Sequence, residues 1–225
     1  MRSLLAHSDQ STARDISRGL RRSGFAVDVT NDAAQADRHA RRVQYDLIVL
    51  DVELPPEGAQ PLVLRWRGVG VGSPVLVIGA GGPSERAHAL DRGADDVLAN
   101  GAELAELLAR ARALVRRKHQ VLCPVIRTHD LEIDTTSRTV RRAGKMVSLT
   151  PTEYALLLAL ASRRGCVIPH EELRSQLYSE REKPTSNLIH VYSRRLRQKI
   201  DGGSHLPLIL TRWGEGYLLR GDVAS

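Results

Sequence analysis

The chain has 225 residues, 42% hydrophobic and 26% charged, which suits two ordinary domains with their own cores and excludes a disordered polymer. The formal net charge is +7. Residues 1–118 carry 17 Lys and Arg against 15 Asp and Glu, and residues 119–225 carry 16 against 11, so the excess lies in the C-terminal half and points to a polyanion partner there.

The first half alternates short apolar strands with helical patterns. Strands are expected at Arg2–Ala6, Ala26–Val29, Leu47–Leu50, Val75–Ile78 and Asp96–Ala99. Helices are expected at Thr12–Ser23, Ala33–Val43, Gln60–Trp66, Ser84–Arg92 and Ala102–Arg117. This spacing predicts a doubly wound parallel sheet, an α/β domain over residues 1–118. Residues 119–124 read as a linker, and residues 125–222 as a second domain of different texture.

In that second domain, Ile126–Ile133, Arg138–Arg142 and Lys145–Leu149 read as antiparallel strands with a turn at Gly144. Thr150-Pro151-Thr152-Glu153 carries a cap, a proline at the first helical position and a capping-box glutamate, so a helix starts there and stops at Gly165. A second helix starts at Pro169 and ends near Tyr178. A third, capped by Thr185 or Ser186, runs to Ile200. Leu208–Thr211 and Tyr217–Leu219 close as a hairpin around Gly214 and Gly216. Three helices with a terminal β-hairpin make an α+β winged helix.

The two cysteines, Cys123 and Cys166, lack metal-ligand spacing and fit a reducing cytosol. The longest apolar run, Tyr154–Ala161, is too short for a bilayer, and no signal-peptide pattern opens the chain. A cytoplasmic protein without a membrane partner is expected.

Five stretches carry a resemblance: Tyr45-Asp46-Leu47-Ile48-Val49-Leu50-Asp51, Gly93-Ala94-Asp95-Asp96, Leu149-Thr150-Pro151-Thr152-Glu153-Tyr154, Arg195-Leu196-Arg197-Gln198-Lys199 and Gly214-Glu215-Gly216-Tyr217. In this order they resemble the OmpR/PhoB family of two-component response regulators over nearly the whole chain. The resemblance implies a receiver-like domain, a short linker and a winged-helix effector. It also implies a homodimer on tandem half-sites of double-stranded DNA, with RNA polymerase as a further partner.

In such receivers the phosphoacceptor is the aspartate matching Asp51. Acidic residues after the first strand hold Mg²⁺, which neutralises the phosphoryl oxygens. Here those positions are His7 and Ser8, with Asp9 one place late. An imidazole and a hydroxyl are poor ligands for a hard cation. The switch hydroxyl is replaced by Gly79, the lysine and proline by Asn100 and Gly101, and the switch aromatic by Val97. The expectation is a degenerate receiver with no metal or cofactor, in which Asp51 is a vestigial acceptor making local hydrogen bonds. Two alternatives stay open. One is conventional phosphorylation of Asp51 with displaced ligands. The other is a nucleotide-binding domain using the glycine-rich Gly79–Ser84 loop. No acid–base pair or nucleophile constellation marks an enzyme.

The dimer face implied by the resemblance carries both signs: Arg86, Asp91, Arg92, Asp95, Asp96, Glu106, Arg110, Arg112 and Arg116. On the third C-terminal helix, Ile189, Leu196 and Ile200 share the core side with Tyr192 nearby, and Tyr192 is also expected among the DNA contacts. Asn187, Val191, Arg194, Arg195 and Gln198 lie opposite and suit a major groove: arginine bridges guanine, the amides read adenine, and valine meets a thymine methyl. Arg197 and Lys199 flank this face and are expected on phosphates. In the hairpin, Thr211 suits a phosphate contact. Trp213 takes the family's arginine position, and Arg212 stands one residue earlier.

Overall fold

A computed structural model describes residues 1–118, 125–178 and 188–221. The chain divides into two compact units, Arg2–Gln120 and Val121–Ser225.

The first unit runs β1 (Arg2–Ala6), α1 (Gln10–Arg22), β2 (Ala26–Thr30), α2 (Ala33–Arg42), β3 (Leu47–Asp51), α3 (Ala59–Gly68), β4 (Val75–Ala80), α4 (Pro83–Asp91), β5 (Asp96–Ala99) and α5 (Leu104–Lys118). All five strands are parallel, in the order β2-β1-β3-β4-β5. The strands are apolar almost throughout because helices cover both faces: every residue of β1 and β3 is buried. Leu4, Ile48, Leu50 and Val77 pack with Leu54, Leu62 and Trp66 on one side of the sheet. Trp66 is fully buried, and its indole N–H donates to Asp37 Oδ1 at 2.9 Å, which satisfies the one polar atom of the ring. The helix α1 begins at Gln10 rather than Thr12 because Asp9 caps it, accepting from the Thr12 amide.

The second unit opens on an antiparallel sheet of β6 (Val125–Thr128), β7 (Leu131–Asp134), β8 (Thr139–Arg142) and β9 (Lys145–Met146). The single strand expected over Ile126–Ile133 is in fact two. Thr128 pairs with Leu131, and His129 turns with φ +51°. A polar His-Asp pair interrupts the apolar alternation and supplies a residue tolerant of the left-handed region. The turn between β8 and β9 places Ala143 and Gly144 at positive φ, as expected around Gly144.

Helix α6 (Pro151–Ser162) starts as the sequence predicts. The Glu153 amide donates to Thr150 Oγ1 at 3.3 Å, and the Thr150 amide donates to Glu153 Oε2 at 2.8 Å. Helix α7 (His170–Leu177) begins one residue after the expected Pro169, because Ile168–Pro169 forms a short strand, β10. Helix α8 (Leu188–Ile200) follows; its expected caps, Thr185 and Ser186, lie outside the described residues. The hairpin is β11 (Ile209–Arg212) and β12 (Gly216–Leu219), and β10 pairs with β12 to make a three-stranded wing sheet. Gly216 permits that pairing: a Cβ there would stand 2.0 Å from the Ile168 carbonyl oxygen. Leu196, Ile189, Ile200 and Tyr217 join Leu157 and Leu160 of α6 in one core.

Candidate functional site

Strand order reverses between β1 and β3, the crevice where open α/β sheets place ligand sites. Asp51 closes β3 at that point and is buried. Its Oδ2 accepts from the Ser8 amide at 2.9 Å and, in a still shorter contact, from the Ser8 hydroxyl. Its Oδ1 accepts from the Glu53 amide at 3.1 Å. His7 Nδ1 lies 3.3 Å from Oδ2 but also accepts from the Asp9 amide at 3.0 Å. One ring nitrogen cannot accept and donate at once, so a bond to Asp51 requires a proton there and breaks the bond from Asp9.

Asp9 is turned to its own helix. Its carboxylate accepts from the Thr12 amide at 2.6 Å, and that bond, with the Thr12 hydroxyl, holds its carboxyl below the ordinary range. The loop after β1 therefore offers an imidazole, a hydroxyl committed to Asp51, and a carboxylate committed to a helix cap. This donor set does not fit a hard divalent cation. Among the described residues, no group of three or more His, Cys, Asp and Glu is arranged to hold a metal. Gly79 in β4 has φ +86°, and Asp51 Oδ1 would lie 3.4 Å from a Cβ there, so the carboxylate faces bare backbone. Asn100, where a lysine would stand, is exposed, and its amide donates to Ala80 O at 3.0 Å.

In the glycine-rich loop one amide is already taken and one position has none. The Gly81 amide donates to Glu85 Oε2 at 2.5 Å, and Pro83 at the start of α4 has no N–H. A carboxylate already occupies the place a phosphate would take, which weighs against the nucleotide alternative.

The two-signed face is largely closed within the chain. Arg110 reaches Asp96 Oδ1 and Oδ2 at 3.0 Å each and Glu106 Oε1 at 2.7 Å. The Glu106 and Asp96 bonds raise the Arg110 pKa above its usual value. Arg86 donates to Gly81 O at 2.8 Å. Asp95, expected on the face, is also a structural acceptor. It takes Arg67 Nη2 at 2.6 Å and the Val75 amide at 2.7 Å, while Arg67 also donates to Gly93 O, Val71 O and Ser73 O. The Gly93-Ala94-Asp95 motif thus ties α3 and β4 together. Asp91 and Arg92 are exposed; Arg112 and Arg116 are half-buried.

In the second unit, α8 buries Ile189, Ser193, Leu196 and Ile200 and exposes Val191, Arg194, Arg195 and Gln198. The Ser193 hydroxyl donates to Ile189 O at 2.7 Å, and Tyr192 is half-buried against the core. Asn187 lies outside the described residues. The side chains of Arg194, Arg195 and Gln198 make no hydrogen bond or ion pair with the described residues.

The flanking cations are already partnered within the unit. Lys199 Nζ lies 2.7 Å from Glu153 Oε2, on the capping-box carboxylate of α6. Arg197 donates to Ile209 O at 3.1 Å and to Thr211 Oγ1 at 2.7 Å, so it fastens α8 to β11. Each already holds an intramolecular partner, and the Thr211 hydroxyl is shared with Arg197. The sequence marks Glu153 as a cap but gives no sign of a partner 46 residues away. His190, on the same helix, hydrogen-bonds the Tyr217 hydroxyl at 2.7 Å, with His170 beside both rings. At the hairpin tip Arg212 and Glu215 are exposed, and Trp213 is 92% exposed.

Residues 4–112 match the response regulator receiver domain, and residues 144–219 match the C-terminal domain of transcriptional regulatory proteins. The chain is 36% identical over 219 residues to the transcriptional regulatory protein PcoR of Escherichia coli, covering 97% of each. It is 36% identical over 218 residues to the transcriptional regulatory protein CutR of Streptomyces coelicolor, covering 96% of this chain and 99% of that one. The first unit shares its fold with the receiver domain of a Francisella response regulator: TM-score 0.50 and 24% identity, over 52% of this chain and 98% of that chain.

Proposed function

From the premise that the chain belongs to the response regulators of OmpR/PhoB type and is a DNA-binding transcriptional regulator of that family, we propose that it works without phosphorylation of Asp51 and binds DNA as a homodimer. In this reading residues 1–118 form a receiver-like dimerisation domain, residues 119–124 a linker and residues 125–222 the DNA-binding domain. The observation that carries it is the closed pocket: Ser8 occupies Asp51 Oδ2 by amide and hydroxyl, and Asp9 is spent on capping α1. Phosphoryl transfer to Oδ2 of Asp51 would have to break the Ser8 bonds, and transfer to either oxygen would proceed without a carboxylate-held cation to neutralise the phosphoryl oxygens.

The DNA surface is the outward face of α8, with Val191, Arg194, Arg195 and Gln198 toward base edges. Dimerisation uses the face of α4, β5 and α5, where Asp91, Arg92, Arg112 and Arg116 remain for contacts between copies. Two copies would occupy half-sites about 10–11 base pairs apart. A regulator so seated beside a promoter also meets RNA polymerase. Sedimentation of the full chain at micromolar concentration, without phosphodonor, should show a dimer; a strict monomer removes this part of the reading.

Incubation with acetyl phosphate and Mg²⁺ followed by intact mass tests the first part. The mass should not change, and Asp51→Asn should leave DNA affinity within about twofold. A stoichiometric, base-labile gain of one phosphoryl group would falsify it and favour the conventional alternative, for which the placement of Asp51 at the end of β3 is the supporting observation.

A further inference from the structure

We propose that Trp213 enters the minor groove beside the α8 contact and stacks at a base step, so that the wing reads how easily the DNA unstacks there. The inference rests on α8 being the DNA-contacting helix.

Trp213 is 92% exposed, whereas the other tryptophan, Trp66, is fully buried. No other large apolar side chain among the described residues exceeds 58% exposure. Its place explains this. The Glu215 amide donates to Arg212 O at 3.0 Å, and Gly214 has φ +78°, so residues 212–215 form a tight turn with Trp213 at its first corner. A corner side chain points away from the hairpin.

The tip is also rigidly placed. Arg197 bonds Thr211 and Ile209 from α8, and β10 pairs with β12 behind the hairpin. The wing therefore goes where α8 goes. The major groove is about 12 Å wide and admits a helix, while the neighbouring minor groove is about 6 Å wide. A hairpin braced beside a helix in the first reaches across one phosphate backbone to the second.

Charge does not draw this tip to DNA. Arg212 and Glu215 are both exposed and offset one another, so a favourable contact must come from the indole surface. A flat aromatic ring is suited to unstacking a base step, as apolar wedges do in minor grooves, and its N–H can meet the acceptors of A·T pairs. Pyrimidine–purine steps unstack most readily, so a TA or CA step under the wing is preferred.

The test uses the full chain and an end-labelled duplex that it selects from a randomised pool, with anisotropy and tryptophan emission read on one sample. Iodide reaches Trp213 but not buried Trp66. On saturation, emission should fall markedly and iodide quenching should vanish. Trp213→Ala should weaken binding roughly 5- to 100-fold. It should also abolish the penalty for changing the flexible step under the wing to AA. If anisotropy rises while Trp213 stays open to iodide, or if Trp213→Ala keeps full affinity, the inference is overturned and the DNA reading of α8 stands; an exposed Trp213 would then be free for a protein partner. If anisotropy does not rise on any duplex, the DNA reading fails and takes this inference with it.

Discussion

The carboxylate pocket at the end of β3 and the outward face of α8 treat their polar groups in opposite ways. Around Asp51, hydrogen-bonding capacity is spent inside the chain: Ser8 and Glu53 on Asp51, Thr12 on Asp9, Glu85 on Gly81. On α8, Arg194, Arg195 and Gln198 face outward without partners among the described residues. A ligand for the first region has to displace bonds already made, and a buried polar group left unpaired costs about 1–3 kcal/mol. A ligand for the second displaces water alone. The two regions differ in residue type less than in whether the fold has already used the residues.

Leu196 and Arg195 are neighbours on α8 that point to opposite sides, and they break the comparison most sharply. Leu196 is fully buried. Leu196→Ala should destabilise the second unit by about 2–5 kcal/mol through lost burial and the cavity left behind. Arg195→Ala should change stability by less than about 0.5 kcal/mol. Urea unfolding of both variants checks this; equal losses would mean that Arg195 belongs to the packing.

The same Arg195→Ala variant should lose about 1–3 kcal/mol of affinity on a selected duplex and relax preference at one position. If selected and scrambled duplexes weaken alike, Arg195 contacts phosphate and not bases.

Lys199 stands between the two kinds of region: it is a cation on α8, the helix proposed to face DNA, yet already paired. Lys199→Ala should cost about 1 kcal/mol of stability, because Glu153 loses a charged partner, and should leave the salt slope of DNA binding unchanged. Burial by itself raises the Glu153 pKa, but Lys199 and Thr150 together outweigh it and hold the carboxyl below its ordinary value. A carboxyl with a depressed pKa stabilises the fold above its ordinary range, and that contribution is lost as pH falls through the folded value. The acid-side loss of stability should therefore shrink in Lys199→Ala. A salt slope lower by about one unit would restore the phosphate role.

The strand and helix order was legible because each element carries its own local signal. Apolar runs give β3, and the Thr150–Glu153 box gives α6. The core side of α8 followed from the spacing of Ile189, Leu196 and Ile200. What was missed is non-local. Nothing near Lys199 in sequence announces Glu153, nothing near Asp95 announces Arg67, and β10 is two residues long and exists because Gly216 lets its backbone approach. Ser8 was legible as a poor cation ligand but not as the donor that occupies Asp51, which depends on the register of β1 against β3.

The smallest effect concerns His170, at the seam where α7, α8 and β12 meet. Its ring centroid lies 4.9 Å from that of His190 on α8 and 5.1 Å from that of Tyr217 on β12. Burial lowers its pKa below the ordinary value of 6.5 and the nearby His190 adds to this, while Glu171 on its own helix opposes both. The fold therefore takes up this proton later than the unfolded chain does. Well above pH 6.5 neither state holds it and stability is unaffected. As pH falls below 6.5 the unfolded chain gains the proton first, so stability declines until the folded value is passed. His170→Gln removes the titrating group but keeps a polar side chain. The drop in urea midpoint between pH 7.5 and 5.5 should be smaller in this variant than in the native chain. An unchanged drop would place the acid sensitivity elsewhere and leave His170 as packing for Tyr217.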